Sequence, residues 1–194
     1  MGATDEVTHY VTASDGIELA VYKSGRVGAP VILFVHGYPD THAIWDGVAA
    51  DLADDFRIVT YDVRGAGLSE IPLEVRSYRI GQLVDDLGRV INAVSPEAPV
   101  HVVAHDWGSI QSWDALPDDR LGVRIRTFTS ISGPSLDHVG LWARALYRGP
   151  VRRLRQALGS WYVGFFLTPF LPEIAARHGL VNRVVDHSSS LAGH

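Results

Sequence analysis

The sequence predicts an α/β protein, with a doubly wound, mostly parallel sheet of about six strands followed by a helical segment. Three observations predict it. Short apolar runs at Val31–Val35, Phe56–Tyr61 and Val100–Ala104 show little polar alternation, the pattern of strands buried on both faces. Segments of helical spacing separate these runs, and strand, helix, strand in succession is the signature of parallel crossovers. Each run stops abruptly at an unusual loop: His36-Gly37, Asp62 to Gly67, and His105 to Gly108. In such sheets ligands bind beyond the carboxyl ends of the strands, so the three loops are expected to converge on one mouth.

The elements follow from the amino terminus. Thr8–Thr12 and Ile17–Lys23 flank Ser14-Asp15-Gly16 and read as an antiparallel hairpin, with glycine where a positive φ is cheap. The loop Gly25–Pro30 leads into the first buried strand. Ile44–Leu52 has helical spacing, and Phe56–Tyr61 is the second buried strand. Tyr78–Val94 is an amphipathic helix: Ile80, Leu83, Val84, Leu87 and Ile91 share one face, and Arg79, Asp85, Asp86 and Arg89 fall largely on the other. Val100–Ala104 feeds a helix running from Trp107 to about Leu116. Ile125–Ile131 reads as a fourth buried strand, closed by Ser132-Gly133-Pro134. From Ser135 the pattern turns to helices alone, at Leu136–Leu146, Val151–Leu158 and Trp161–Leu167, with a short one at Glu173–His178. Arg144, Arg148, Arg152, Arg153 and Arg155 are expected on the solvated face of this lid and not on a membrane surface, because Pro150 breaks the run.

Composition excludes several classes of function. A chain of 194 residues, 46% hydrophobic and 20% charged, is expected to fold as an ordinary soluble domain. Its net charge of -5 gives no general attraction to nucleic acid or to an anionic membrane. Cysteine is absent, so disulfide and thiol chemistry are excluded, and the nine histidines lack metal-ligand spacing, so no metal is expected. No basic, apolar leader opens the sequence and no apolar run reaches the ~18 residues of a membrane span; a cytoplasmic location is the expectation.

The chemistry centres on Val100 to Ser109. Asp106 has Ala104 two residues before it and Gly108 two after, the small-x-nucleophile-x-small spacing of a nucleophile elbow. Such a turn needs a strained backbone, and small neighbours so that the helix can cross close to the strand. A carboxylate there needs no base to ionise it at neutral pH and is suited to displacing a leaving group from sp³ carbon, leaving an ester on the enzyme. Hydrolysis of that ester requires a base and an oxyanion hole. The backbone N–H of Trp107 and that of Tyr38, in His36-Gly37-Tyr38-Pro39, are the candidate donors, with Gly37 permitting close approach and Pro39 stiffening the turn.

His36-Gly37-Tyr38-Pro39-Asp40 with Trp45, then Asp62-Val63-Arg64-Gly65-Ala66-Gly67-Leu68-Ser69, then His105-Asp106-Trp107-Gly108, in this order, resemble the epoxide hydrolases of the α/β-hydrolase superfamily. The resemblance implies Asp106 as nucleophile, Trp107 and Tyr38 as oxyanion-hole donors, no cofactor, and a small apolar epoxide or related alkyl compound as substrate. It also matches Tyr162, seven residues before Pro169, to a cap tyrosine that donates a proton to the epoxide oxygen; packing beside Trp161 is the alternative for that side chain. Haloalkane dehalogenases are near neighbours and a second reading, although their first motif more often carries a polar residue where Tyr38 stands. A weaker similarity is to hydrolase domains that some actinobacterial proteins fuse to a short-chain dehydrogenase. Gly65-Ala66-Gly67 lacks the third glycine of a dinucleotide fingerprint, so no dehydrogenase chemistry is expected of this chain. Among the supporting residues, His36 is expected to be structural, His105 to orient the elbow by hydrogen bonding, and Arg64 with Asp62 to brace the loops.

The resemblance implies eight strands with a cap after the sixth, so residues 1–133 are expected to be a hydrolase core, 134–180 a partial cap and 181–194 an atypical tail. The family's acid and catalytic histidine would lie on the last strands; His178, His187 and His194 have no strand-end setting. Three expectations follow: Ile125–Ile131 exposes an apolar sheet edge open to self-association, the chain by itself reaches at most an ester at Asp106, and the rival reading is an inactive fragment or a non-catalytic binding module.

Overall fold

A computed structural model of the chain describes residues 9–144. Contacts divide the chain into Met1–Leu141 and Trp142–His194; all but the first three residues of the second unit fall outside the described range. The expected helices at Val151–Leu158, Trp161–Leu167 and Glu173–His178, the tail from 181, and Tyr162 lie there too.

The described elements are strands β1 (His9–Thr12), β2 (Glu18–Gly25) and β3 (Val31–Val35), helix α1 (Asp46–Leu52), β4 (Arg57–Tyr61), α2 (Ile80–Val94), β5 (Val100–His105), α3 (Trp107–Ala115), β6 (Ile125–Ile131) and α4 (Leu136–Arg144). The six strands form one sheet in the order β1-β2-β4-β3-β5-β6. The first two pairings, β1 with β2 and β2 with β4, are antiparallel, and β4-β3-β5-β6 are parallel. β2 runs to Gly25 and not only to Lys23, because Ser24 and Gly25 pair with Ile58 and Arg57 of β4.

Strand periodicity sends alternate side chains of β3 to opposite faces, and both faces are covered. Leu33 and Val35 join Val59, Tyr61, Val102 and Ala104 beneath α2 and α3, where Leu87, Val90 and Ile91 complete the larger core. Ile32, Phe34 and Ile58 point the other way, onto Trp45 and Ala49. Phe34 and Trp45 stack tilted with ring centroids 5.0 Å apart. Helix α2 starts at Ile80 and not at Tyr78, because Val75–Tyr78 forms a 3-10 turn and Arg79 is extended.

β6 differs from the fully buried strand expected. Only Ile125 and Phe128 are half-buried and the other five residues are exposed, because β6 ends the strand order and pairs with β5 alone among the described residues. No described helix is long and apolar enough to cross a membrane.

Register decides where the loops go. Val35 is level with Tyr61 on one side and Ala104 on the other, and His105 is level with Ile131. His36, Asp62, Asp106 and Ser132 therefore leave the sheet at one edge, the convergence the three motifs require.

Candidate active site

Asp106 stands between the end of β5 and the first residue of α3, with φ +51° and ψ −123°. An L-residue adopts this conformation at a cost of about 1–3 kcal/mol, and it persists because the surroundings leave no alternative. Those surroundings are close-packed backbone. A Cβ on Gly108 would strike the carbonyl oxygen of His36 and lie 2.5 Å from that of Val35, so only glycine lets α3 cross β3 at this distance. A Cβ on Gly37 would fall 2.6 Å from Asp106 Oδ2 and 2.8 Å from the Trp107 nitrogen. The two motifs thus meet at their glycines.

The Tyr38 N–H donates to Asp106 Oδ2 at 3.1 Å. Oδ1 takes no hydrogen bond from the described residues. The Trp107 nitrogen, at the head of α3, faces the same Gly37 turn, and the Tyr38 and Trp107 side chains flank the site with more than half of their surface exposed. The Tyr38–Pro39 peptide is cis.

His36 is fully buried and fixes the first loop to the second. Its Nε2 accepts the Val63 N–H at 3.0 Å while Nδ1 lies 2.8 Å from the Gly37 carbonyl. A carbonyl can only accept, so the proton sits on Nδ1 and the ring is neutral. Burial pushes its pKa below the ordinary histidine value, and the Gly37 carbonyl, Asp62 and Asp40 offset this only in part.

Asp62 is the hub of the second loop. Its buried carboxylate accepts the Tyr22 hydroxyl at 2.8 Å and the His42 N–H, His42 Nδ1 and Leu68 N–H, each at 2.9 Å. Burial alone would raise its pKa; these donors outweigh it and hold the carboxyl below its ordinary value. A Cβ on Gly67 would fall on this carboxylate, so Gly67 leaves room for a carboxylate cradle inside the protein, whereas Gly65 makes room for the Tyr78 ring. Tyr22 also stacks on the His42 ring, with centroids 3.6 Å apart. Neither Tyr22 nor His42 was singled out by motif: one is mid-strand and the other sits in a 3-10 turn, and only the sheet order brings them to Asp62.

Two expected contacts differ. Arg64 does brace the loops, but its partners are Asp86, at 2.6 Å from both Nε and Nη2, Asp15 at 2.7 Å and the Ser77 carbonyl at 2.9 Å, and not Asp62. Asp62 is already saturated by its own donors. Burial disfavours the Arg64 charge, but the two carboxylates more than offset it and raise its pKa. His105 does not orient the elbow by a hydrogen bond: its Nδ1 is buried without a partner, 3.7 Å from Asp40 Oδ2. The alternation of β5 puts His105 on the Val103 side of the sheet, facing the loop after Pro39 and not the Asp106 carboxylate. Among the described residues no histidine nitrogen is hydrogen-bonded to Asp106, and no three His, Asp or Glu side chains gather so as to hold a metal ion.

Residues 30–180 match the family described as the alpha/beta hydrolase fold. The chain is 39% identical over 191 residues to "Probable oxidoreductase EphD" of Mycobacterium tuberculosis, covering 95% of this chain and 32% of that protein. It is 30% identical over 158 residues to "Epoxide hydrolase 1" of Caenorhabditis elegans, covering 81% and 37% respectively. Among solved structures, one of the novel epoxide hydrolases from metagenomes of hot environments superposes with a TM-score of 0.75 at 29% identity, over 93% of this chain and 58% of that one. The chain thus spans about a third of the length of these EphD relatives.

Proposed function

The chain belongs to the α/β-hydrolase fold family and is epoxide hydrolase-like, and from that premise we propose that Asp106 opens an epoxide by forming an alkyl ester. The observation that carries this is the Tyr38 N–H on Asp106 Oδ2 at 3.1 Å, with Oδ1 left without a donor among the described residues. Oδ1 is the attacking atom. It bonds to a ring carbon, the ring C–O bond breaks with its electron pair, and the released alkoxide takes up a proton, a role for which Tyr162 is the candidate. Oδ2 becomes the ester carbonyl oxygen already lying in its hole. Water added at the ester carbon then places negative charge on Oδ2, where the Tyr38 and Trp107 N–H groups stabilise it. Collapse releases a diol and restores the carboxylate. This second step needs a base, and the described residues hold none against Asp106.

Intact-mass spectrometry after incubation with styrene oxide tests the reading. A single adduct on Asp106, absent from Asp106→Ala, is expected from the first step alone, and diol formed over many turnovers from both steps. No adduct and no diol would overturn it and favour a non-catalytic binding module. A haloalkane tested alongside separates the dehalogenase reading, which Tyr38 at the third motif position disfavours.

A further inference from the structure

Two described residues other than glycine hold a left-handed backbone, Asp106 at φ +51° and Ser132 at φ +56°. They lie back to back. The Asp106 N–H donates to the Ile131 carbonyl at 2.9 Å, and a Cβ on Gly133 would strike the Asp106 carbonyl and come within 2.6 Å of Ser109 Cβ. The turn that closes β6 is therefore the floor of the elbow.

Three side chains converge on that floor. Ser109 Oγ, Ser130 Oγ and Trp113 Nε1 lie 2.8, 2.9 and 3.0 Å from the Gly133 carbonyl oxygen. The two hydroxyls are 2.6 Å apart, and Trp113 Nε1 is 3.2 Å from Ser130 Oγ. The indole N–H can only donate, one hydroxyl donates to the other, and that one donates to the carbonyl, so every proton in the triangle has an acceptor. Ser109 and Trp113 are one helical turn apart and share a face of α3. The Trp113 ring meets Phe128 of β6 edge-on at 5.1 Å. Burying the Ser109 hydroxyl completely is unfavourable unless it is bonded, and all of its bonds go to the segment under Asp106.

We propose that Ser109, Ser130 and Trp113 are positioning residues for Asp106: by clamping the Gly133 carbonyl between α3 and β6, they hold Ile131 O beneath the Asp106 N–H and keep the elbow in its left-handed turn. The catalytic consequence rests on the alkylation reading of Asp106. The structural consequence does not. Loosening the clamp turns the carboxylate away from its line of attack without altering the groups a substrate would touch.

The experiment compares Ser109→Ala, Ser130→Ala, the double variant and Trp113→Phe with Ser130→Thr, which keeps the hydroxyl. Amide hydrogen exchange is followed by NMR at Asp106 and, as core references, at Leu33, Val59 and Ile91. The double variant is expected to exchange the Asp106 amide about tenfold faster with the references unchanged, as a local opening does. Styrene oxide labelling of Asp106, read by intact mass, is expected to lose about tenfold in maximal rate at an unchanged half-saturating concentration, with both effects restored in Ser130→Thr. Unchanged exchange at Asp106 in the double variant would overturn the clamp. So would equal acceleration at Asp106 and the core references, which is a general loss of stability. An unlabelled wild type would overturn the alkylation reading instead, and the exchange data would still decide the clamp.

Discussion

The ring of His36 accepts the backbone N–H of Val63 through Nε2 at 3.0 Å, a bond that exists only while the imidazole is neutral. It ties the loop carrying Tyr38 to the loop carrying Asp62, so the Tyr38 N–H that meets Asp106 Oδ2 is held in place by a fully buried histidine. Because burial lowers the folded-state pKa below the ordinary 6.5, the unfolded chain takes up this proton first as pH falls. The contribution is full above the unfolded pKa and is lost progressively as pH drops from 6.5 through the lower folded value. Urea midpoints measured between about pH 7.5 and pH 5 are expected to fall for the wild type and to fall less steeply for His36→Asn.

Asp62 sets a second, more acidic limit. Its carboxyl is held below 3.8 once its donors have overcome the effect of burial, so its stabilisation is present above that value and is lost as pH falls through the lower folded pKa. Asp62→Asn turns an amide N–H₂ toward groups that themselves donate. It is expected to cost about 1–3 kcal/mol at neutral pH and to flatten the acid limb of the stability curve, as chemical denaturation would show.

Gly37→Ala tests the approach of the first motif to the elbow. The added methyl would meet Asp106 Oδ2 at 2.6 Å and the Trp107 nitrogen at 2.8 Å, neither of them the free end of a long side chain. A stability loss of about 1–3 kcal/mol is expected from the overpacking. The rate of adduct formation at Asp106 is expected to fall further, by about 100-fold, because the carboxylate itself must move.

Arg64→Met removes the cation between Asp86 and Asp15, leaving Asp86 buried without its partner. A loss of about 3–5 kcal/mol is expected, larger than that of Asp15→Asn, since Asp15 retains access to water. Thermal unfolding of both variants checks the order. A larger effect from Asp15→Asn would mean that the β1–β2 turn, and not α2, is the anchor of this loop.

Much of the fold was legible because its signals are local. The run at Val31–Val35 reads as a doubly buried strand and is one, all but its first residue being buried; Val100–Ala104 reads the same way, but β5 alternates buried residues on the α2–α3 face with half-buried His101 and Val103 on the other. Asp106 between Ala104 and Gly108 marked a strained turn that its φ of +51° now describes. Small residues at that spacing serve backbone geometry, and backbone geometry is set within a few positions. Ser109 and Gly133 were less visible, although a Ser-Gly-Pro closing a strand was a signal that the end of β6 carried a special turn.

Bonds between loops were not legible, and the physical reason is register. Whether Arg64 meets Asp62 or Asp86, and whether His42 and Tyr22 close around Asp62, depend on Val35, Tyr61 and Ala104 being level across three strands, and whether Ser109 finds Gly133 depends on His105 being level with Ile131. A short apolar run specifies that it will be a strand but not which residue of its neighbour it faces, since that follows from the packing of whole faces. By itself the sequence determined the strands, their order of chemistry and the residue at the elbow. The tertiary structure decided the partners that hold the elbow in place, because a hydrogen bond between distant loops is specified by a sheet and not by either loop alone.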